Sequence, residues 1–509
     1  MQDKDDSHLL HRTARGTLYL LIQNLVIAAS GSLFFMVIAR FLPNTSDLGL
    51  INGLLLVINL ATILTGLGLT NAATRFMSYH FGSQREDLAI GVGALIFRIG
   101  LASSFIISFV LYSASHYIAS TLFHDIRYTN LIQLGSVDIF LVSIVSFSFS
   151  ILYSLHEFRK IAIVSIIGSI LKSATGSLLL LMFGMGVDGI VIGFIVGDAA
   201  SLLILVYGLR PIIFASRLSR EIRPLFRYSL PLYASYILNF LSVNIDYYLI
   251  LSLSGLSTAG IYSPAVFFAT LLVTALAALE QTLLPFFSRI YGKSGLGTLE
   301  NLSHVISRYI FLIYFPMGFA TLASAPLIIS EILGERYIGS ILPSVTLILA
   351  ITLTSIGTVF NNILKSAGHS NIFLTSTIGA LSVQLLVSII TLPSLGALGA
   401  ALARSCAYTT LFITPAYKLK RVSRLHYDRI ALRKGLIGSI VMASIIFILN
   451  SYSPNPWYLL LNLFGGLISY LVFLRFVRAM DIKDFETLDN ILLGKLKWPI
   501  RLTMKIVLH

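Results

Sequence analysis

The sequence predicts an all-α, polytopic membrane protein of about fourteen transmembrane helices, built as two parallel six-helix repeats around a central cavity. Three observations predict it. The 509 residues are 56% hydrophobic and 11% charged, with a mean hydropathy of +0.87, whereas an average soluble protein is about 25% charged. A soluble chain of this size has a large water-facing surface, and so few charges do not cover it. Apolar runs of about 20 residues, the length that crosses a bilayer, recur along the whole chain. Lys and Arg gather on alternate connections between those runs, as the positive-inside rule requires.

The runs fall at 17–41, 48–69, 88–112, 131–153, 161–183, 188–208, 228–253, 260–284, 302–328, 341–364, 372–393, 397–417, 435–451 and 457–475. With the N-terminus placed in the cytoplasm, 29 of the 36 Lys and Arg lie on inner connections or the tail. Arg40, Arg127 and Arg336 lie outside, and four lie within spans. Both termini are then cytoplasmic, in a multi-pass protein of the cell membrane. The first run is too long for a cleavable signal peptide and lacks a small-residue cleavage site.

No connection is long enough to fold as a separate domain. Residues 1–208 read as an N-terminal six-helix bundle and 209–227 as a basic cytoplasmic linker. Residues 228–418 read as a second six-helix bundle, and 419–482 as two additional spans with a basic loop. The tail, 483–509, alternates apolar and basic residues, which suits the inner membrane surface; a solvated tail fits equally.

The two halves repeat at an offset of about 210 residues, with collinear matches throughout. Asp47-Leu-Gly-Leu-Ile51 matches Thr258-Ala-Gly-Ile-Tyr262, and Ile96-Phe-Arg98 matches Ile306-Ser-Arg308. Ser165-Ile-Ile-Gly168 matches Ser376-Thr-Ile-Gly379, and Gly186-Val-Asp-Gly189 matches Gly396-Ala-Leu-Gly399. Six spans per half bring both halves in from the same side. Such a parallel repeat is a transporter arrangement whose site lies near the midplane between the halves.

Composition also excludes chemistries. A single cysteine, Cys406, allows neither a disulfide framework nor a cysteine metal site. No phosphate-binding loop or dinucleotide fingerprint is present, so no cofactor and no catalytic or metal-ligating residue is expected. The net charge of +14 points to anionic lipid rather than nucleic acid.

Charges inside a bilayer cost about 2.5–3.5 kcal/mol each on insertion scales. The spans contain Arg98, Lys172, Arg308 and Arg404 as basic groups, and Asp138, Asp198, Asp246 and Glu280 as acidic ones. Arg98, Lys172, Asp198, Arg308 and Arg404 are expected near mid-depth. They either tie helices together as ion pairs or line a wet cavity that binds a charged substrate or coupling ion. Cationic groups in a cavity suit a diphosphate, because the Arg fork matches phosphate oxygens, and the mirrored Arg98 and Arg308 lead the candidates. Arg40, at the outer end of the first span, is a ligand or an interfacial anchor. The four carboxylates are partners or coupling groups. Pro264 and Pro316 interrupt the eighth and ninth spans and are candidate gating kinks.

A family resemblance joins these residues. Ala39-Arg-Phe-Leu-Pro43, Asp47-Leu-Gly49, Gly66-Leu-Gly-Leu69 and Ala73-Thr-Arg75 resemble the opening of polysaccharide-biosynthesis flippases. Asp246-Tyr-Tyr-Leu-Ile250, Ala259-Gly-Ile-Tyr262 and Leu284-Pro285 are similar to that family's seventh and eighth spans. Gly334-Glu-Arg-Tyr337 and Asn362-Ile-Leu364 with Gly368 are similar to its ninth-to-tenth region. The family is the Wzx-type oligosaccharide flippases of the multidrug/oligosaccharidyl-lipid/polysaccharide (MOP) exporter superfamily. The resemblance implies two helical bundles around a cationic cavity. It implies movement of a polyprenyl- or dolichyl-diphosphate-linked oligosaccharide to the outer leaflet by alternating access, without a nucleotide-binding domain.

The expected partners are therefore this lipid-linked substrate, membrane lipids and glycan-assembly enzymes, around a monomeric transport unit. Two alternatives remain. One is a cation-coupled small-molecule or drug exporter of the same superfamily. The other is a membrane-embedded glycosyltransferase, although the outer loops are short and their acids form no recognisable motif.

Overall fold

The computed structural model describes residues 2–216, 218–219, 222–366, 370–422, 427–452 and 455–477. No strand occurs among them. The helices are α1 (Gln2–Phe41), α2 (Thr45–Gly66), α3 (Leu69–Gly82), α4 (Glu86–Thr121), α5 (Thr129–Ser154), α6 (Phe158–Phe183), α7 (Gly186–Ile213) and α8 (Ile222–Tyr309). There follow α9 (Phe315–Leu327), α10 (Ile341–Thr354), α11 (Gly357–Ser366), α12 (Ser370–Leu395), α13 (Ala397–Val422), α14 (Arg429–Tyr452) and α15 (Leu459–Phe476). Among the described residues, 12 helices are long and apolar enough to cross a bilayer. One of the twelve, Ile222–Ala277, takes in the expected seventh span and most of the eighth, and α13 is not among them. The amphipathic tail at 483–509 lies outside the described residues.

The chain divides into two compact units, Met1–Gly260 and Ile261–His509. The division falls beyond the expected 209–227 linker because the first part of α8 packs on α2 and α3. Tyr247 donates its hydroxyl to the Gly49 carbonyl (3.4 Å), and Thr45 and Ser257 share a hydroxyl hydrogen bond (3.2 Å). The Arg75 guanidinium lies 4.3 Å from the Tyr228 ring centroid.

α8 is not a straight rod. Tyr247 also donates to the Ala259 carbonyl at 3.4 Å, whereas twelve residues of straight helix rise about 18 Å. The bend centres on Gly255, whose φ of +79° is open to glycine without strain. The two spans expected at 228–253 and 260–284 therefore meet there.

Within the first unit, two apolar clusters hold the helices. One joins α3, α4, α5 and α7 through Met77, Ile96, Phe147, Ile151 and Leu209. The other joins α2, α4, α5 and α7 through Leu54, Ile58, Leu111, Ile139 and Val191. Ser219 donates its backbone N–H to the Gly91 carbonyl of α4 at 3.1 Å, and Phe123 packs on Tyr128 within the connection between α4 and α5.

Two motif segments prove structural. Asp47 sits in the first turn of α2 and accepts the Asn44 backbone N–H at 3.1 Å, closing a capping box. In Gly66-Leu-Gly-Leu69, Leu67 and Gly68 both take left-handed φ (+46° and +69°) and separate α2 from α3. A Cβ on Gly68 would stand 2.3 Å from the Ser229 carbonyl oxygen. The expected single span at 48–69 therefore continues as a second helix.

The repeat is visible in the backbone. Gly186 and its counterpart Gly396 both have positive φ (+57° and +52°) at the turn before the sixth span of their half. The turn returns α7 along α6 at very short range. α7 carries Gly189, Gly193 and Gly197, a small residue every fourth position, which lets helix backbones approach in a bilayer. A Cβ on Gly193 would stand 2.6 Å from the Gly176 backbone nitrogen.

In the second unit, α14 and α15 pack on α9 around Leu312, Phe319, Met442, Ile446 and Tyr470. Asn450 donates to the Ala323 carbonyl (3.3 Å) and accepts from Asn462 (2.9 Å). A π-turn, Ile310–Tyr314, precedes α9, and Pro316 follows it. Pro316 has no N–H for the carbonyl four residues back, that of Leu312. The Tyr470 hydroxyl donates to that carbonyl at 2.8 Å. That hydroxyl satisfies the carbonyl that Pro316 leaves without its helical donor.

Two outcomes follow from these contacts. Tyr470→Phe strips the donor from a buried carbonyl and should destabilise the protein by about 1–2 kcal/mol. A lower thermal midpoint in detergent checks this, with the half-exposed Tyr458, changed to Phe, as a neutral control. Gly193→Val should cost about 1–3 kcal/mol by overpacking, because backbone, not a yielding side chain, opposes the new atoms. Gly208→Ala, which meets nothing within 4 Å, should leave the midpoint unchanged.

Candidate functional site

The close α6–α7 contact places three of the sequence-predicted residues together. Gly197 lets α7 lie directly against Lys172 of α6: a Cβ there would stand 2.3 Å from Lys172 Cγ. The next residue, Asp198, receives the Lys172 ammonium, with Nζ 2.6 Å from Oδ2. Asp138 enters from α5, within electrostatic and hydrogen-bond reach of Asp198 and within electrostatic reach of Lys172. Asp138 and Asp198 are 3% and 4% exposed, and the Lys172 side chain 29%. Desolvating a charge pair costs several kcal/mol per ion, and removing one member of such a pair costs about 3–5 kcal/mol. Asp138 Oδ1 is buried without a hydrogen-bond partner.

The mirrored arginines occupy corresponding places in their own units. Arg98 is exposed on α4 and donates from Nη2 to the Ala215 carbonyl, just beyond α7, at 2.9 Å. Arg308 donates from Nε to Asp428 Oδ2 at 2.9 Å, in the segment after α13. Each arginine therefore holds the segment that follows the sixth span of its half. Arg98 lies on a helix of 36 residues, well beyond the about 20 a bilayer requires, and bonds to the segment that follows α7.

Asp428, the partner of Arg308, lies inside a basic loop where it does not stand out as a candidate. The available signal was its place just before the apolar run of α14, which is an N-cap signature. Its Oδ1 accepts the Ala431 N–H (2.8 Å), and the Ser307 hydroxyl oxygen accepts the Asp428 N–H (3.1 Å). Burial pushes the Asp428 carboxyl up, but the Ala431 N–H, the Arg308 guanidinium and His304 outweigh it. The carboxyl ends below its ordinary value.

The other expected site residues are dispersed. Arg404 is buried in α13 and Asp246 is fully buried in α8. Arg40 is exposed in the last turn of α1, and Pro264 is buried in α8. The Glu280 side chain lies outside the described residues. A cavity of about 560 Å³ opens between α2, α4 and α8 within the first unit, lined by Leu60, Leu64, Val110, Ile118, Phe240 and further apolar side chains. Tyr117, Thr121, Asn244, Tyr248 and Ser252 add polar groups to this mainly apolar lining.

Asp428→Asn should remove the Arg308 pair and weaken the α14 cap, lowering the neutral-pH thermal midpoint by roughly 1 kcal/mol or more in stability. Because the native carboxyl is held low, its contribution is complete above the ordinary carboxylate value and disappears as pH falls through the native one. Midpoints of wild type and variant should therefore converge in acid, which a pH series of melting curves measures.

The fold is shared with solved transporters. The lipid II flippase MurJ, in an inward closed conformation, matches with a TM-score of 0.70 at 15% identity, over 91% of this chain and 99% of that one. An inward-facing multidrug resistance MATE family transporter of the MOP superfamily matches with 0.65 at 16% identity, over 79% and 94%. A MOP superfamily transporter from Pyrococcus furiosus matches with 0.55 at 14% identity, over 80% and 95%. No curated protein matches the chain by sequence. The polysaccharide biosynthesis protein family model matches residues 37–342. On a MOP-type transporter fold, with the sequence pattern of that model over more than half its length, this chain belongs to the polysaccharide biosynthesis protein family.

Proposed function

We propose that this protein is a flippase that carries a polyprenyl- or dolichyl-diphosphate-linked oligosaccharide across the cytoplasmic membrane, for polysaccharide or glycan assembly, by alternating access. The observation that carries the reading is the match to a polysaccharide-biosynthesis family over residues 37–342 on a membrane-transporter fold. A polysaccharide precursor that meets such a protein has both a glycan to pass and a lipid to leave in the bilayer. The protein acts without chemistry of its own, and both termini lie in the cytoplasm. Glycan-assembly enzymes are its working partners, and the transport unit is a single chain.

The diphosphate needs a cation with uncommitted donors. Lys172 and Arg308 are engaged by Asp198 and Asp428. Arg98 is exposed and spends one donor on a backbone carbonyl, which leaves most of its fork for phosphate oxygens. It is therefore the first diphosphate contact, at the end of α4 that the expected orientation turns to the cytoplasm. Arg40 and Arg404 are further candidates along the route.

Proteoliposomes containing the protein should accelerate transbilayer movement of a fluorescent polyprenyl-diphosphate disaccharide. Loss of a charge-assisted contact worth about 1.5–3 kcal/mol should cut the rate of Arg98→Ala roughly tenfold or more, with insertion unchanged. Arg308→Ala should chiefly lower the melting midpoint. If the proteoliposomes leave the disaccharide lipid in place but accumulate organic cations under a proton or sodium gradient, the exporter reading replaces this one.

A further inference from the structure

We propose that the second unit holds a binding site for one anionic glycerophospholipid. An acyl chain occupies the cavity between α10, α11, α13 and α14, and the phosphate rests on Arg429 and Arg433. The site is independent of what the protein transports.

The cavity itself is apolar. It measures about 410 Å³ and lies among Phe311, Ile356, Phe360, Phe412, Ala416 and Leu432. Phe360 and Phe412 stack with ring centroids 6.1 Å apart, and Phe311 meets Tyr427 edge-on at 6.4 Å. Gly357 brings α11 close to α13, since a Cβ there would stand 3.2 Å from Phe412 Cα. Three further lining residues, Leu353, Ile413 and Tyr417, are about half exposed. The cavity therefore opens on a surface of apolar and aromatic side chains, which in a membrane protein meets lipid. From Phe412 to Tyr417, α13 rises about 7.5 Å. One leaflet contributes about 15 Å of hydrocarbon, so this wall takes the part of one acyl chain nearest its headgroup.

The cationic groups lie at one end, where α14 begins. Tyr427 lines the cavity, and the Arg429 guanidinium is 5.8 Å from its ring centroid. A guanidinium stacked on a ring keeps its in-plane donors for phosphate oxygens. Arg433 follows one turn later on the same face of α14, beside the lining residue Leu432. Both arginines are exposed. The adjacent carboxylate, Asp428, is committed to Arg308 and to the Ala431 N–H. Among the described residues, neither Arg429 nor Arg433 has a carboxylate at ion-pair distance.

Charge complementarity selects the occupant. A hydrocarbon cavity with a cationic rim matches a lipid that has its chain in the bilayer and a negative phosphate at the edge. A zwitterionic lipid brings its own ammonium to the same arginines and gains less. The lipid-linked glycan is a different ligand: its polyprenyl chain is far longer than this wall, and its first diphosphate contact is placed at Arg98 of the first unit. α14 lies outside the six-span repeat, so a lipid here fills the gap where the added helix meets α10, α11 and α13.

The test is native mass spectrometry of the full-length protein in detergent with equal amounts of phosphatidylglycerol and phosphatidylcholine. Each arginine near the membrane surface supplies about a fivefold preference. Wild type should therefore retain one phosphatidylglycerol over phosphatidylcholine by roughly tenfold or more. Arg429→Gln with Arg433→Gln should bring the ratio close to one. Ala416→Phe fills the cavity but keeps both arginines, and should remove the bound phosphatidylglycerol. Arg159→Gln with Lys160→Gln, an exposed basic pair at the start of α6, should leave the ratio unchanged. Equal retention of the two lipids by wild type overturns the proposal, and that measurement needs no variant to fold. Preference that survives in the Arg429 and Arg433 double variant, or bound lipid that survives in Ala416→Phe, overturns it equally. So does loss of preference in the Arg159 and Lys160 double variant, because the selectivity then belongs to basic loops at large. Displacement by an equal amount of polyprenyl diphosphate would make this a substrate site and overturn the phospholipid assignment. Lipid retention is read without transport, so its failure leaves the flippase reading intact, and failed flipping leaves the lipid site intact.

Discussion

Hydrocarbon has no hydrogen bonds to offer, so each polar group that this chain takes into the bilayer must find its partner within the protein. The irregular places in the helices become intelligible on that basis. Pro316 frees the Leu312 carbonyl, and a tyrosine from a different helix, Tyr470, has its hydroxyl there. Asn450 reaches the Ala323 carbonyl and is itself held by Asn462, so α14, α15 and α9 are joined by polar bonds as well as by packing. Thr65 donates to Ser143, and Ser108 to the Ser136 carbonyl, in the same way.

Apolar attraction between helices is weak where the solvent is itself apolar, so backbone proximity has to be arranged by small residues. Gly49 and Gly260 are repeat-related and pack directly on each other, with a Cβ on Gly49 only 2.9 Å from the Gly260 nitrogen. Gly193 and Gly197 do the same between α6 and α7. That spacing decides where Lys172 lies: without a glycine at 197 its side chain could not cross α7 to reach Asp198. The ionic cluster is thus a consequence of glycine placement, and its members could not meet on a wider helix pair.

Much of this architecture is legible in the sequence. The ends of α5, α6, α7, α12 and α15 lie within a few residues of the apolar runs, because length and hydropathy directly reflect bilayer thickness. The Gly186 and Gly396 turns appear in the repeat because both need the same left-handed backbone. The short helices α3 and α11 are less legible, since each is too short to mark a span and mixes polar with apolar residues. Arg98 and Arg308 are visible as a repeated pair, but their depth depends on how far α4 extends beyond the membrane. Asp138, Lys172 and Asp198 each stand out singly. Their meeting depends on the rotation of three helices about their axes, which hydropathy does not encode. The glycines of α7 carried that information.

The two repeats answer different needs with one scaffold. Arg98 and Arg308 do corresponding work, each securing the chain that leaves the sixth span of its half, yet one takes a carbonyl and the other a carboxylate. The second arrangement neutralises its cation, while the first leaves it exposed and positive. The first unit also holds the charged triad, where the second has Ile348, Ser382 and Tyr408. The first unit thus holds an exposed arginine on α4 and a buried lysine–aspartate pair between α6 and α7. In the second unit the counterpart arginine, Arg308, holds Asp428 at the start of α14, so one scaffold secures the chain after its sixth span in two chemically different ways.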